Sequence, residues 1–159
     1  MPGFEVYDNQ EKEAAISVFE GGNVLFSHGF NGLRDKFHVQ EFNKNCESFF
    51  NIQNAISLSS GTAGLKTALK AVGVKPGDEV ITQGFNFIAT IESILDCGAY
   101  PIIAPIDENL NMDLEKTANL ITSKTKAIII VHMLGFPGDI YAFNKLSKSN
   151  NIPLIEDNC

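Results

Sequence analysis

The chain has 159 residues, of which 44% are hydrophobic and 19% charged, as in a globular protein with a buried core and not a disordered or fibrous one. The excess of 19 acidic over 12 basic residues gives a formal charge of -7, which disfavours binding to nucleic acid or to an anionic membrane. No leader-like start and no apolar run long enough to span a bilayer is found, so a cytoplasmic protein is expected.

The first part of the chain, residues 1–53, has an irregular pattern. It predicts a helix over Gln10–Glu20 and a second helix over Val39–Phe50. Between them lies a connector with several glycines, Gly21, Gly22, Gly29 and Gly32. We expect residues 1–53 to form an N-terminal arm that packs on the domain that follows, or on a partner subunit.

From residue 54 onward, short β-rich runs alternate with amphipathic stretches. This alternation is typical of an α/β fold with a mostly parallel sheet and helices on both faces. The predicted strands are Asn54–Leu58, Glu79–Thr82, Pro101–Ile106, Lys126–Val131 and Ile152–Glu156. The predicted helices are one through Leu65 and Leu69 that closes at Gly73, then Asn86–Cys97, one from about Asp113, and one from about Asp139 to Ser149. Residues 54–159 are therefore assigned to a single domain.

Two of these helices have apolar faces that we expect to be buried. In the helix Asn86–Cys97, the spacing predicts an apolar face made of Phe87, Ile88, Ile91, Ile94 and Leu95. In the helix from Asp113, the predicted inward-facing residues are Leu114, Ala118 and Ile121.

A phosphate-binding pattern stands between the first predicted strand and the helix after it, in the sequence Ser59–Gly64. Unpaired N–H groups at a helix start, the helix dipole and the hydroxyl of Thr62 can hold a phosphate, and Gly61 allows close approach of the backbone. Taken alone, small residues and a hydroxyl at this place are more often a plain helix N-cap.

Three other predicted strand ends carry polar or aromatic side chains on the same edge of the sheet. Phe87 can stack on a planar cofactor or belong to the core. The adjacent carboxylates of Glu156 and Asp157 need a positive partner, which can be a pyridinium nitrogen, an arginine or a helix N-terminus. His132 can line a pocket or bond a backbone carbonyl. No metal-ligand spacing is found, and no metal is expected.

In combination and order, motifs from residue 57 to the end resemble those of the DegT/DnrJ/EryC1/StrS sugar aminotransferases. The motifs are Ser60–Ala63, Lys75–Ile81, Phe85–Thr90, Asn111–Asp113, Thr125–Ile128, Val131–His132, Gly135–Pro137 and Ile155–Asp157. The resemblance implies an enzyme of fold type I that uses pyridoxal 5'-phosphate (PLP). The present chain would be the first part of its large domain, which is like that of aspartate aminotransferase, and would be incomplete at the C-terminus.

The resemblance also assigns roles to particular residues. It places the cofactor phosphate on Gly61, Thr62 and the backbone of Ala63, the ring of Phe87 on the pyridine ring, and Asp157 at the pyridine nitrogen. Ser60 and His132 are candidate pocket-lining residues. The Schiff-base lysine of the family is expected downstream of Cys159, so no catalytic residue is expected in this chain, and the chain alone is expected to be inactive.

The implied reaction is the transfer of an amino group, from glutamate or glutamine, to a keto group on a nucleotide-linked sugar. Such a reaction serves the synthesis of surface polysaccharides or glycosylated metabolites, and the enzyme is expected to be a homodimer.

Three alternatives remain open from the sequence. The first is a PLP-dependent sugar dehydratase of the same family, in which a histidine replaces the lysine. The second is a non-catalytic α/β module that binds a phosphate or nucleotide through Gly61 and Thr62. The third is a split or truncated gene product, whose unpaired sheet flank would favour aggregation.

Overall fold

A computed structural model of the chain describes residues 4–21, 24–26, 29, 31–33 and 36–158. Gly22 of the predicted connector and Cys159 lie outside these residues. The chain divides into two compact units, Met1–Ser57 and Leu58–Cys159. Within the described ranges, no helix combines the length and the apolar character needed to cross a membrane.

The first unit contains two α-helices, α1 (Asn9–Glu20) and α2 (His38–Phe50), after a short 3-10 helix at Phe4–Val6. Helix α1 begins with a capping box at Asp8. The carboxylate of Asp8 accepts the N–H of Gln10 at 2.7 Å, and the N–H of Asp8 donates to Glu11 at 2.8 Å. Both predicted helices are confirmed, each beginning one residue earlier than expected.

The predicted strand Asn54–Leu58 is wrong. The segment is not paired with any strand that the structure describes. Instead, the N–H of Ala55 donates to the side chain of Glu47 at 3.0 Å, and the N–H of Ser57 donates to Asn43 at 3.1 Å. The side chains of α2 therefore satisfy backbone donors that a strand would have used in a sheet.

The second unit is built on a parallel sheet of four strands in the order β2-β1-β3-β4. The strands are β1 (Glu79–Gln83), β2 (Tyr100–Ala104), β3 (Thr125–Val131) and β4 (Leu154–Asp157). The helices are α3 (Gly61–Ala71), α4 (Ile88–Asp96), α5 (Leu114–Asn119) and α6 (Ile140–Asn150), with a 3-10 turn at Met133–Gly135. The predicted α/β class with a mostly parallel sheet is confirmed.

Helices cover both faces of this sheet, as predicted. On one side, called the α3/α4 face, Leu65, Leu69 and Ile94 pack against Val80, Ile129 and Val131. On the other side, called the α5/α6 face, Phe143 and Met112 pack against Ile81, Ile128 and Ile130. The continuous apolar run of β3 is explained by this arrangement, because successive residues of a strand face opposite sides and both sides are covered.

The predicted apolar face of α4 is partly wrong. Phe87, Ile88 and Leu95 are 68%, 58% and 54% exposed, whereas Ile94 is fully buried. The rest of the buried face consists of small residues, Ala89, Thr90 and Ser93. Small side chains allow α4 to lie close to α3, and the large side chains remain outside. In α5 the fully buried residue is Thr117, while the predicted Leu114 is 37% exposed.

Candidate functional site

The site lies at the edge of the second unit where β1, β3 and β4 end at Gln83, Val131 and Asp157, here called the carboxyl edge. Helix α3 begins at this edge, because the chain after its other end passes Gly73, where an added Cβ would lie 3.6 Å from the side chain of Lys126 near the start of β3. Helix α4 also begins here, since it follows β1 directly. Two helix N-termini and three strand ends therefore meet at the carboxyl edge, where open α/β sheets bind their ligands.

The start of α3 offers donors for an anion. Ser60 is the N-cap, and its hydroxyl accepts the N–H of Ala63 at 3.2 Å. The N–H groups of Gly61 and Thr62, in the first helical turn, have no acceptor within the helix, and both residues are exposed. Two amides and the Thr62 hydroxyl are thus available to a ligand, whereas the amide of Ala63, a third predicted phosphate ligand, already has a partner.

A hydrogen bond connects helix α4 to the first turn of α3. The hydroxyl of Ser93 donates to the backbone carbonyl of Thr62 at 3.4 Å. One turn earlier on the same side of α4, the hydroxyl oxygen of Thr90 is buried and has no hydrogen-bond partner among the residues described. An unsatisfied buried hydroxyl is rare in folded proteins, and this one lies one turn from Ser93, which bonds the first turn of α3. This donor set fits a phosphate group.

Phe87 is the N-cap residue of α4, and its ring is 68% exposed. A buried network holds the loop that carries it. The side-chain amide of Gln83 donates to the carbonyl of Phe85 at 2.9 Å, its oxygen accepts the N–H of Val131 at 3.1 Å, and Asn86 donates to the carbonyl of Gln83 at 2.8 Å. We did not predict a role for Gln83, although a glutamine that ends an apolar strand is a signal that could have suggested one.

Asp157 faces the same side of the sheet as α3 and α4. It pairs in register with Val131, a residue of the α3/α4 face, and paired residues of parallel strands point to the same side. The preceding residue, Glu156, pairs with Ile130 and so points to the α5/α6 face. The structure therefore brings Gly61, Thr62, Phe87 and Asp157 to one face of one edge.

His132 belongs to the opposite face. It is 8% exposed. Its Nδ1 accepts the N–H of Gly138 at 3.1 Å, and its Nε2 lies 3.3 Å from the carboxylate of Glu156. The lining of a pocket by His132 or Ser60 stays a prediction.

An open cavity of about 660 Å³ also lies on the α5/α6 side, between the segment after β2 and the segment before α6. Its lining includes Asp107, Asn109, Leu114, Phe136, Asp139 and Phe143, and contains none of the predicted cofactor residues. Among the described residues, no group of histidine, cysteine and acidic side chains could hold a metal ion.

Lys66 is the lysine of α3 that stands closest to the predicted phosphate site. Its ammonium group lies 2.6 Å from the carboxylate of Asp96 in α4. This hydrogen bond and the charge of Asp96 raise the pKa of Lys66 and lower the pKa of Asp96. A nucleophilic lysine needs a lowered pKa, so Lys66 is unsuited to that role.

The sequence is similar to those of known proteins. The sequence profile described as the DegT/DnrJ/EryC1/StrS aminotransferase family matches residues 17–159. A GDP-perosamine synthase from Vibrio cholerae is 34% identical over 136 residues, covering 85% of this chain and 37% of that protein. The spore coat polysaccharide biosynthesis protein SpsC of Bacillus subtilis is 40% identical over 120 residues, covering 75% of this chain and 31% of that protein.

Solved structures show the same similarity. A 3-amino-5-hydroxybenzoic acid synthase superposes with a TM-score of 0.84 at 29% identity, covering 98% of this chain and 39% of that one. A GDP-4-keto-6-deoxy-D-mannose-3-dehydratase from E. coli, with bound hydrated PLP, gives a TM-score of 0.78 at 27% identity, covering 97% of this chain and 39% of that one. The chain thus spans about a third of the length of the curated relatives it matches, 37% and 31% in the two described.

Proposed function

Since the chain belongs to the DegT/DnrJ/EryC1/StrS aminotransferase family, we propose that the protein containing it is a PLP-dependent aminotransferase that acts on a nucleotide-linked keto-sugar. The observation that carries the proposal is that Thr62, Phe87 and Asp157 share one face of the carboxyl edge. The name of the Vibrio cholerae relative, a GDP-perosamine synthase, supports a nucleotide-linked sugar as substrate.

Bound PLP supplies an aromatic ring that takes up the electron pair released when a substrate carbon loses its proton. The start of α3 binds the phosphate of that group. The N–H groups of Gly61 and Thr62 point out of the helix at its positive end, and the Thr62 hydroxyl adds a third donor. Ala63 contributes its amide when the hydrogen bond to Ser60 is shared.

Phe87 and Asp157 hold the ring. The exposed ring of Phe87 lies against one face of the pyridine and excludes water from it. The carboxylate of Asp157 accepts a hydrogen bond from the pyridine N–H and, by its negative charge, keeps that proton in place. Both side chains are set by rigid elements, since Phe87 caps a helix and Asp157 ends a strand.

The remaining parts of the reaction are also proposals. Glutamate or glutamine donates the amino group, the enzyme works as a homodimer in the cytoplasm, and the lysine that reacts with the cofactor belongs to a segment other than residues 1–159. The ion pair with Asp96 favours the protonated form of Lys66, so this lysine of α3 is not the reactive one.

The test uses PLP labelled with ¹⁵N in the ring and the protein that contains this chain. We expect the ¹⁵N shift of a protonated pyridine in the wild type and a shift towards the unprotonated value in Asp157→Asn. Transamination should fall in parallel by about 100-fold, since a charge-assisted hydrogen bond is lost. Glu115→Gln, an exposed acid of α5, is the control and should leave the shift unchanged. An unprotonated pyridine in the wild type would contradict the proposal.

A sugar dehydratase is the second candidate function, because the chain also superposes on the E. coli dehydratase with a TM-score of 0.78. Product analysis separates the two reactions. With ¹⁵N-glutamate as donor, an aminotransferase yields a sugar that carries ¹⁵N, whereas a dehydratase yields a sugar that has lost a hydroxyl and carries no nitrogen. A module that only binds phosphate would give neither product and would bind inorganic phosphate as tightly as PLP.

A further inference from the structure

His132 joins three backbone segments at the carboxyl edge. Its own N–H donates to the carbonyl of Asp157 at 3.0 Å, and its Nδ1 accepts the N–H of Gly138 at 3.1 Å. Because Nδ1 is an acceptor, the ring proton is on Nε2, which donates to the carboxylate of Glu156 at 3.3 Å. The end of β4 and the turn before α6 are therefore tied to the end of β3 by the main chain and side chain of one residue.

The bond from the His132 side chain acts at the end of β4. This strand has four residues, and its described pairing with β3 ends at Asp157, its last residue. A rotation of the strand end about its axis would move the side chains of Glu156 and Asp157 together.

Glu156 and Asp157 are the two residues that such a rotation would turn. They point to opposite faces of the sheet, so fixing the side chain of one fixes the direction of the other. His132 holds Glu156 on the α5/α6 face, which directs Asp157 to the α3/α4 face.

The anchor is itself held in place by Gly138. A Cβ atom at Gly138 would lie 3.0 Å from the side chain of Ile130 in β3, so the backbone here approaches the strand more closely than other residues would easily allow. This close approach brings the Gly138 N–H within reach of the imidazole. The Nδ1 atom of His132 is thus held by the N–H of Gly138, and its Nε2 atom bonds Glu156.

We propose that His132 is a positioning residue for Asp157: through Glu156, it sets the end of β4 so that the Asp157 carboxylate is presented to the ring nitrogen of the cofactor. This inference rests on the proposed function. It assigns His132 no contact with the substrate or the cofactor.

Two variants of similar size separate the two side-chain hydrogen bonds. His132→Gln keeps a donor near the position of Nε2 and can still reach Glu156, while His132→Asn keeps an acceptor for Gly138 but is too short to reach Glu156. In the PLP-loaded protein, we expect His132→Asn to weaken PLP binding about 10-fold, as for other coupled neighbours. His132→Asn should also shift the pyridine ¹⁵N signal towards the unprotonated value. In His132→Gln, the PLP affinity and the ¹⁵N shift should both stay close to those of the wild type.

The decisive measurement repeats His132→Asn in the Asp157→Asn background. If His132 acts through Asp157, the second substitution should add no further loss of PLP affinity. Equal losses in both backgrounds, or a lower Tm of both His132 variants with unchanged PLP affinity and unchanged ¹⁵N shift, would overturn the inference and leave the proposed function standing. If Asp157→Asn alone has no effect on PLP binding or on the ¹⁵N shift, the proposed function and the inference both fail.

Discussion

Val131 and Asp157 pair in register across the parallel strands β3 and β4, and both face helices α3 and α4. Glu156, which precedes Asp157, faces the other side and is bonded to His132. The two neighbouring carboxylates are thus divided between the two faces of the sheet, and their mutual repulsion is smaller than their adjacency in sequence suggests. Glu156 makes a hydrogen bond with His132, and Asp157 belongs to the proposed cofactor site.

Removal of the Thr62 hydroxyl should weaken the binding of PLP more than it weakens the fold. Thr62→Ala is expected to lower PLP affinity by about 10- to 150-fold, because a hydrogen bond to a charged phosphate contributes roughly 1.5–3 kcal/mol. Thr67→Ala is the matched control, since the Thr67 hydroxyl bonds the carbonyl of Ala63 within α3. Fluorescence titration with PLP measures both, and an equal loss in the two variants would exclude Thr62 as a phosphate ligand.

Ser60 caps helix α3 and lies next to the proposed phosphate site, and substitutions can separate its effect on stability from its effect on PLP binding. Ser60→Ala removes the N-cap of α3 and should lower the free energy of unfolding by about 1 kcal/mol. Ser60→Asp keeps a capping oxygen and should retain stability, but its negative charge should weaken PLP binding by repelling the phosphate. Urea unfolding and PLP titration report the two effects. Unchanged PLP affinity in Ser60→Asp would place the phosphate elsewhere.

Much of the second unit could be predicted from the sequence because its strands and helices have strong local patterns. The β-branched run of β3 and the spacing of Leu65 and Leu69 are both found where expected. Asn54–Leu58 has a strand-like composition, but a strand also needs a partner, and the side chains of Asn43 and Glu47 take that place. A local pattern contains no information on such a distant competitor.

The sequence motifs were enough to name the residues of the candidate site. They were not enough to predict the face of the sheet or helix to which each side chain points. Glu156 and Asp157 are both acidic residues, and the sequence does not show that the register of β4 with β3 places Asp157 on the side of α3 and α4. The sequence predicts Phe87 on a buried helix face, yet α4 begins at Ile88, two residues later than predicted, and Phe87 is its exposed N-cap residue. Both outcomes depend on the packing of elements that are far apart in sequence.

Gln83 should contribute to stability through the buried network that it forms. Gln83→Leu would leave the N–H of Val131 and the carbonyl of Phe85 without their partners. We expect a loss of about 3 kcal/mol in the free energy of unfolding, since a buried unsatisfied group costs roughly 1–3 kcal/mol. Gln53→Leu, at an exposed position, should change stability by less than about 0.5 kcal/mol. A loss of similar size in the two variants, by urea unfolding, would contradict this account.

Gly98 and Gly77 form a matched pair for testing backbone strain. Both have positive φ, +74° and +90°, but a Cβ at Gly98 would lie 2.9 Å from Pro76, whereas one at Gly77 would meet nothing within 4 Å. Gly77→Ala should therefore cost about 1 kcal/mol from the left-handed backbone alone. Gly98→Ala should cost about 1–3 kcal/mol more, because the added methyl group clashes with the proline ring. Equal destabilisation of the two variants would show that the clash is relieved.

The ion pair between Lys66 and Asp96 makes a pH-dependent contribution to the packing of α3 on α4. The hydrogen bond from Lys66 holds the pKa of Asp96 below its ordinary value of 3.8, so the stabilisation is present above that value and is lost as the pH falls through the folded-state pKa. The pKa of Lys66 is raised from 10.5, so the stabilisation is complete below that value and is lost as the pH rises through the raised pKa.

Both groups are exposed, and solvent screening keeps the contribution small. The measurement that tests the ion pair directly is therefore the NMR titration of the Asp96 carboxyl carbon, which reports the pKa of that group. Lys66→Met should raise the midpoint of this titration to the ordinary range of an aspartate. Lys70→Met should move it less, because Lys70 acts on Asp96 only through its charge and is the weakest of the influences on that carboxyl. A wild-type midpoint already at the ordinary value would show that the pair does not form in solution.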